Sequence, residues 1–404
     1  MESARGSSCY RCARLTLLAA LGALLLAPAV AAASRLESFE LPSRHVDPAT
    51  PGGELPDDRT VPKVNVLLPD GYDDDSRRGY PVLWLHHGAF GGVDSWLDDF
   101  DELSAGRRAI LVMPDGGRFG MYTDWWNDGR RGDPAWATYH LRVLRRTIER
   151  RYPIRAGRRW HAIAGISMGG QGTLRYAAML PGYFGSAVGF SAAFPDMQSG
   201  VARPGLDTLP ADVGPGGVYA AIFGSEQGPY AEGNSPQALA ANYGHTRVYL
   251  TSGNGMDCPE DPPTGSELDR VTEILINAQQ GPFAAAIRAQ GADVNAVTTC
   301  GVHTVGVWNR AFVAARKWGF FRPVAERPRR WRYRTIAESG NMWGLRFRFA
   351  RPPSKVAEFE RSGRTLSATG SGKVRIRGRR RCRFGARLPF DRRLPRSCRQ
   401  AAQV

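Results

Sequence analysis

The stretch Gly165-Ile166-Ser167-Met168-Gly169 has the residue types and spacing of a reactive serine. The apolar run Ala162–Ile166 precedes this serine, and a pattern typical of a helix follows it. In a strand–turn–helix context, the glycines allow a sharp turn that leaves the serine hydroxyl exposed. The N-terminus of the following helix would direct free N–H groups toward developing negative charge. The pattern predicts Ser167 as the nucleophile of an acyl-transfer or ester-cleaving site.

A reactive serine needs a base to take its proton, and the base needs an acid to orient it. On a strand-to-helix turn of this kind, the acid and then the histidine follow the serine along the chain. Two histidines come after Ser167. His245 directly precedes an expected strand, whereas His303 follows the last expected strand. We therefore predict His303 as the base.

The acid has more than one candidate. Asp257 and Glu260 lie in the loop after the expected strand Arg247–Leu250, which is the usual place for this group. Glu273 lies further along the chain, within an expected helix. The residues alone therefore favour Asp257.

Two backbone N–H groups would have to stabilise the oxyanion of the tetrahedral intermediate. We expect one from Met168, directly after the serine, and the other from Ala89 in the loop His86-His87-Gly88-Ala89-Phe90-Gly91-Gly92. His87 and Phe90 of that loop are candidate substrate contacts.

Asp124 and Trp125 lie in another loop, Tyr122-Thr123-Asp124-Trp125-Trp126-Asn127, which follows the next expected strand. Aromatic rings beside amide and carboxylate groups suit a sugar or an amphiphilic substrate. These two residues are therefore further candidate contacts. The chemistry predicted for the serine site needs no cofactor and no metal, and we expect none.

Strand-like and helix-like segments alternate along most of the chain, which predicts an α/β fold with a mostly parallel sheet. We expect strands at 64–68, 81–85, 109–113, 162–166, 187–191, 247–250 and 293–298. Helical spacing covers 136–151, 271–279, 283–290 and 308–317. We assign this domain to residues 63–322, after an extended lead-in at 34–62. Its glycine-rich loops follow strands, where functional loops of such sheets lie.

The excess positive charge lies at the C-terminal end. The net charge of the chain is +16. From Ala325 onward there are 23 of the 54 Lys and Arg residues but only five of the 38 acidic residues. The chain before that point has 31 basic and 33 acidic residues. Short alternating segments there predict a small β-rich domain at 325–404 with one apolar face and one arginine face. Aromatic residues interleave with these arginines, namely Trp331, Tyr333, Trp343, Phe347 and Phe349. They suggest binding of an anionic cell-wall polymer, or of a lipid surface, by charge and by stacking or cation–π contacts. The alternative is a β-domain whose arginine face is simply solvated.

The N-terminal segment 1–33 has basic residues, a short apolar run and a small-residue cleavage region, which indicate a secretory signal. An uncleaved anchor is the alternative. Export would leave four cysteines in an oxidising compartment, with three ways to pair them. Proximity along the chain favours Cys382–Cys398, and Cys258–Cys300 would then be the second pair. In an exported protein we expect no nucleic-acid partner, and we expect a monomer that is secreted or associated with the cell envelope.

From Val64 to about Phe320 the chain resembles esterase D-type α/β-hydrolases, and among them the secreted antigen 85 mycolyltransferases of actinobacteria. The matching stretches are Met113–Gly117, Thr123-Asp124-Trp125, Gly165–Met168, Gly253-Asn254-Gly255 and Gly301–Thr304 with Trp308. The resemblance implies an α/β-hydrolase fold and a serine acyl-transfer activity. It also implies that Glu273 is the acid, because the family's glutamate lies in the helix before a Phe-containing helix. Asp257 becomes the alternative acid.

Two positions depart from that family. Its Leu-Asp-Gly-Leu-Arg oxyanion loop reads Leu85-His86-His87-Gly88-Ala89-Phe90 here, and its tryptophan two residues after the histidine is Val305. The family's trehalose contacts are therefore not expected. We predict a serine esterase or acyltransferase that uses an acyl ester and a hydroxyl acceptor or water. The rival hypothesis is a non-catalytic envelope-binding protein on a hydrolase scaffold.

Overall fold

The computed structural model describes residues 34–74, 76–99, 108–210, 212–213, 216–259, 265–378 and 381–398. The predicted signal segment and Glu260 lie outside these ranges. Within them, no helix has both the length and the apolar character needed to cross a bilayer.

An eight-stranded sheet forms the larger part of the structure. Its strands are β1 (Arg35–Glu40), β2 (Lys63–Leu68), β3 (Val82–His86), β4 (Ile110–Pro114), β5 (His161–Ile166), β6 (Ser186–Phe190), β7 (Arg247–Gly253) and β8 (Asp293–Thr299). Their order in the sheet is β1-β2-β4-β3-β5-β6-β7-β8, with β3 to β8 parallel. The pairs β1–β2 and β2–β4 are antiparallel. This arrangement confirms the predicted α/β fold with a mostly parallel sheet.

The helices cover both faces of this sheet. They are α1 (Ser95–Asp99), α2 (Trp136–Thr138, the π-helical Tyr139–Leu144 and Arg145–Arg151), α3 (Met168–Met179), α4 (Ala202–Asp207), α5 (Gly217–Phe223), α6 (Pro229–Glu232), α7 (Glu267–Arg288) and α8 (Val305–Trp318). Alternate strand residues point to opposite faces, so the sheet has two apolar clusters. One cluster includes residues of α2, α3 and α7, and the other includes residues of α1 and α8.

Two sequence predictions for this region need correction. The expected helices 271–279 and 283–290 are one helix, α7, which continues through Pro282. The buried side chains Glu273, Ile276, Phe283 and Ile287 lie on both sides of the proline, and their packing outweighs its local cost. The lead-in at 34–62 is not separate from the domain, because its first residues form the extended strand β1, which pairs with β2.

Two four-stranded antiparallel sheets follow. The first, the outer sheet, has the order β10-β11-β14-β15, from Ser339–Met342, Leu345–Phe349, Lys373–Arg377 and Arg383–Arg387. The second, the inner sheet, has the order β16-β13-β12-β9, from Phe390–Arg393, Thr365–Thr369, Ala357–Ser362 and Arg330–Thr335. One apolar cluster lies between them.

The alternating pattern predicted for this region is confirmed, but the position of its aromatic residues is not as expected. Trp331, Tyr333, Trp343, Phe347 and Phe349 are buried in that cluster rather than interleaved with arginines on the surface. In a two-sheet sandwich, the large apolar side chains of both inner faces fill the core. The stacking contribution that we expected from them is therefore wrong.

Candidate active site

The carboxyl ends of four neighbouring strands, β5 to β8, position the candidate site. Ser167 follows β5 directly and has φ 51° and ψ −119°, a conformation that a non-glycine residue rarely adopts. Helix α3 begins at the next residue, Met168. This is the strand–turn–helix geometry expected from the sequence.

Two glycines make this turn possible. A Cβ on Gly165 would overlap the carbonyl oxygen of Gly169. A Cβ on Gly169 would overlap the carbonyl oxygens of His86 and His87. The first turn of α3 therefore packs directly against β5 and against the loop after β3, which brings that loop to the serine.

Ser167, His303 and Glu273 form a continuous hydrogen-bonded series. Oγ of Ser167 lies 2.8 Å from Nε2 of His303, and Nδ1 of His303 lies 2.6 Å from Oε2 of Glu273. The carboxylate can only accept, so Nδ1 carries the proton and Nε2 is free to accept the serine proton. Glu273 is fully buried, whereas Ser167 and His303 are partly exposed. A substrate can therefore reach the serine.

Asp257 is not brought to this histidine. Its two carboxylate oxygens each lie 3.1 Å from the guanidinium of Arg270, and its side chain is half exposed. A surface ion pair accounts for this residue. The structure thus places Glu273, and not the alternative Asp257, beside His303.

The other oxygen of Glu273 has partners that the sequence analysis missed. Oε1 accepts a hydrogen bond from the Ser191 hydroxyl at 2.7 Å and another from the Gly253 backbone N–H. Nε1 of Trp308 donates to the same Ser191 hydroxyl at 3.1 Å. Ser191 and Gly253 lie at the ends of β6 and β7, and these strand ends were the available signal.

Met168 directly follows Ser167, and Ala89, the other predicted oxyanion donor, belongs to a loop that packs against this serine. A Cβ built on Gly88 would be 3.5 Å from Cβ of Ser167, so the loop containing Ala89 lies against the serine. In the described ranges, neither the Met168 nor the Ala89 N–H has a hydrogen-bond partner. Both groups are therefore available to a bound oxygen.

His87 and Trp125 have no polar atom left for a substrate. Gly116 N–H donates to Nε2 of His87 at 2.8 Å, so Nδ1–H donates to the Gly88 carbonyl at 2.7 Å. Nε1 of Trp125 donates to the Gly120 carbonyl at 3.2 Å. Both side chains are buried. The structure therefore does not support His87 and Trp125 as substrate contacts. Their hydrogen bonds instead stabilise the loops after β3 and β4.

Phe90 and Asp124 differ from that pair. Phe90 lies in the same loop as Ala89 and is 49 % exposed, so it remains a candidate substrate contact. Asp124 accepts hydrogen bonds from Thr138 N–H and Oγ1, at 2.8 and 2.7 Å. It also lines a cleft whose walls do not include Ser167, Glu273 or His303. The structure therefore does not bring Asp124 into the serine site.

Buried histidines lie in and beside the loop that contains Ala89. The pKa of His86 lies well below its usual range, because burial and the neighbouring His140 and His87 disfavour its charged form. Burial lowers the pKa of His140 to about 3. Nδ1 of His140 accepts from the Tyr176 hydroxyl at 2.9 Å, and Nε2–H donates to the Asp115 carbonyl at 2.7 Å. These rings are neutral packing elements.

The Cys258–Cys300 disulfide joins the loop after β7 to the loop that carries His303. Cys382–Cys398 is also bonded. Both expected pairs are thus confirmed. In the part of the chain that the structure describes, no group of three or more His, Cys, Asp or Glu side chains could hold a metal ion.

The sheet order, the helices on both of its faces and the turn at Ser167 define an α/β-hydrolase. The sequence model of the Esterase family matches residues 59–318, more than half of the chain, and the chain belongs to that family. This finding confirms the resemblance to esterases of the antigen 85 type.

Among curated proteins, the chain is similar to Esterase Rv1288 of Mycobacterium tuberculosis, with 36% identity over 230 residues. That alignment covers 55% of this chain and 48% of the relative, so the chain spans about half the length of the curated relatives it matches.

Among solved structures, MPT51 (FbpC1) of M. tuberculosis superposes with a TM-score of 0.53 at 19% identity, over 71% of this chain and 99% of that one. FphF, a fluorophosphonate-binding serine hydrolase of Staphylococcus aureus, gives 0.52 at 18% identity, over 71% and 98%. At these identities, the two structures establish the fold alone.

Proposed function

We propose that the protein is an exported serine esterase or acyltransferase that acts through an acyl-enzyme. The observation that carries the proposal is the series from Ser167 through His303 to Glu273, with distances of 2.8 and 2.6 Å. Membership of the Esterase family supports the reaction class.

In the proposed reaction, Oγ of Ser167 attacks the ester carbonyl while Nε2 of His303 takes its proton. The carbonyl oxygen becomes an oxyanion, which the N–H groups of Met168 and Ala89 stabilise. When the intermediate collapses, the ester C–O bond breaks and His303 returns the proton to the departing alcohol. The acyl group then remains on Ser167.

A second hydroxyl completes the cycle. Water or an alcohol acceptor gives its proton to His303 and attacks the carbonyl carbon of the acyl-enzyme. The bond between the acyl group and Oγ of Ser167 then breaks, His303 returns the proton to Oγ, and an acid or a new ester is released. Both outcomes use the same residues and differ only in which acceptor reaches Ser167. We propose acyl esters of envelope lipids or glycans as the substrate class, with Phe90 as a contact.

Export, a monomeric state and an anionic cell-wall polymer as partner of the arginine-rich C-terminal sheets are further parts of this proposal. Two disulfides support an oxidising compartment. We expect no nucleic-acid partner and no cofactor.

Turnover of p-nitrophenyl butyrate by the full chain, with Ser167→Ala as control, tests the activity. We expect turnover by the native protein and a covalent acyl adduct that mass spectrometry detects on Ser167. If neither protein releases p-nitrophenol and no adduct forms, the non-catalytic envelope-binding protein is the better account. Adding an alcohol acceptor separates transfer from hydrolysis, since transfer forms a new ester.

A further inference from the structure

The outward face of the outer sheet carries an unusual pattern of charge. In β11, β14 and β15, residues that face the core alternate with exposed cations. The exposed cations are Arg346, Arg348, Lys373, Arg375, Arg377, Arg383 and Arg387. In the described ranges none of these seven is part of an ion pair. The strands thus present a cationic surface on one side only.

The register places these cations directly opposite one another. Arg346 faces Arg377, and Arg348 faces Arg375. Arg377 also faces Arg383, and Lys373 faces Arg387. Like charges at directly opposed positions of an antiparallel sheet are destabilising. The folded protein therefore carries an electrostatic cost on this face.

In the inner sheet, two arginines lie opposite carboxylates instead of opposite other cations. There Glu358 is opposite Arg334 and Glu360 is opposite Arg332. The side chains form ion pairs, with closest N–O distances of 3.6 and 3.7 Å. The register of the inner sheet therefore places no two cations directly opposite each other, whereas the register of the outer sheet opposes four such pairs. An anion from outside the chain would supply the missing balance.

Four of the seven cations, Arg346, Arg348, Arg375 and Arg377, form part of one wall of a cleft. The cleft has a volume of about 1180 Å³, and its opposite wall comes from α2 and the loops beside it. Eleven arginines and three carboxylates line it. Arg142 of α2 reaches across to Ser339 of β10, with its guanidinium 2.9 Å from the serine hydroxyl. The space is therefore enclosed by cations from two parts of the fold.

Carboxylates neutralise only part of this lining. Three of the arginines form ion pairs, Arg131 with Glu338, Arg145 with Glu149 and Arg334 with Glu232. In the described ranges no ion pair includes the four outer-sheet arginines of the cleft, and both oxygens of Asp124 accept from Thr138. Arg175, which also lines the cleft, is only 3 % exposed, and its guanidinium donates to the side chain of Asn234 and the carbonyl of Tyr122 rather than to a carboxylate.

We infer that this cleft binds a linear anionic glycan, with the outer-sheet arginines on the carboxylate or phosphodiester groups of successive repeats. Neighbouring strands lie about 4.8 Å apart, and alternate residues of one strand about 6.7 Å apart. The guanidinium groups thus form a lattice that a regularly charged polymer can follow. Guanidinium groups also match the planar fork of these oxyanions.

The absence of an exposed stacking surface favours a glycan over a single-stranded nucleic acid. Bases bind such proteins by stacking on aromatic rings. The Tyr and Phe residues that line this cleft, Tyr230, Tyr333, Phe347 and Phe349, are all buried. The choice of an envelope glycan rests on the proposed export, but the site itself does not depend on Ser167.

The test uses the purified full chain and two labelled polymers, polygalacturonate for carboxylates and poly(glycerol phosphate) teichoic acid for phosphodiesters. Neutral dextran is the control ligand. We expect fluorescence anisotropy to report binding of at least one anionic polymer that weakens with added salt. The arm that binds more tightly identifies the anion.

A matched pair of variants locates the site. Arg348→Ser with Arg375→Ser removes one directly opposed pair, and Arg330→Ser with Arg332→Ser removes two exposed arginines from the inner sheet. We expect the first to weaken binding about tenfold or more and the second to change it less than about threefold. At one fixed concentration, the polymer should raise the Tm of the native chain and of Ser167→Ala by the same amount, and that of the first variant by less.

Equal losses in the two double variants would overturn the assignment of the cleft, because binding would then follow net charge alone. Absence of binding to both polymers would overturn the proposal. Tighter binding of duplex DNA than of either polymer, through the same arginines, would overturn the choice of a glycan. Each result is separable from the ester turnover assay, since Ser167→Ala retains the cleft.

Discussion

The Ser191 hydroxyl donates a hydrogen bond to Oε1 of Glu273 at 2.7 Å, and Nδ1–H of His303 donates one to Oε2 of the same carboxylate. Ser191 thus orients the carboxylate through one oxygen, and the carboxylate orients His303 through the other. Because the bonds are directional, Ser191 fixes the plane in which the carboxylate meets the imidazole.

Removal of the Ser191 hydroxyl should therefore lower kcat and leave KM unchanged. We expect about a tenfold loss in kcat for Ser191→Ala on p-nitrophenyl butyrate, since one hydrogen bond to a charged group is removed. Ser252→Ala is the matched control, because that hydroxyl bonds Asn277 at 2.9 Å instead. A change in KM alone, or equal losses in both variants, would contradict this positioning role.

Glu273→Gln should have a larger effect, because the amide cannot hold the proton of Nδ1 in the required tautomer. We expect kcat to fall about 10³- to 10⁴-fold with little change in the folded structure. Asp257→Asn should change kcat less than about threefold, since its carboxylate pairs with Arg270. Steady-state kinetics of the two variants decides between the acids, and the reverse order would make Asp257 the partner of His303.

Two helical glycines, Gly169 and Gly281, differ in whether the structure has room for a Cβ atom. Gly169→Ala should abolish turnover and lower the free energy of unfolding by about 1–3 kcal/mol, because its Cβ overlaps two carbonyl oxygens. A Cβ at Gly281, inside α7, meets nothing within 4 Å. Gly281→Ala should therefore raise the stability by about 0.5–1 kcal/mol and leave kcat unchanged. Urea unfolding checks both values, and an active, stable Gly169→Ala would refute the close packing of α3.

The buried histidines predict a loss of stability in acid. The pKa of His140 is about 3 and that of His161 about 4 in the folded protein, both lowered mainly by burial, whereas an unfolded histidine titrates near 6.5. Below that pH the unfolded chain binds protons that the folded chain does not. Stability is therefore fully present above pH 6.5 and falls by about 1.4 kcal/mol per pH unit for each such histidine.

Urea unfolding between pH 7.5 and 5 measures this slope, and His140→Asn should reduce it by about one histidine's share. A flat stability profile across this range would contradict the neutral, buried state of these rings.

The sequence predicted most of the site because its residues follow strands of one parallel sheet. Ser167 directly follows one predicted strand and His303 lies in the loop after the last one, so their meeting at one sheet edge follows from topology. Glu273 was reached only through family resemblance, since its helix returns to the site by packing that no local pattern encodes. Ser191 was missed because a serine at a strand end has no distinguishing motif.

The surface contacts were harder to predict than the reactive groups. His87 and Trp125 have side chains that suit a ligand, but their ring nitrogens are already hydrogen-bonded to backbone groups of the protein. The aromatic residues of the C-terminal sheets alternate with arginines along the chain, and period two places the two types on opposite faces. Only the pairing of strands revealed which arginines oppose one another.

The central claim is that Ser167 is the nucleophile, and labelling with a fluorophosphonate tests it most directly. We predict one covalent label per chain, mapped by peptide mass spectrometry to Ser167, with turnover of p-nitrophenyl butyrate lost in proportion to labelling. Ser167→Ala should neither label nor turn over the ester. A label on a different residue, or undiminished turnover by Ser167→Ala, would contradict the account.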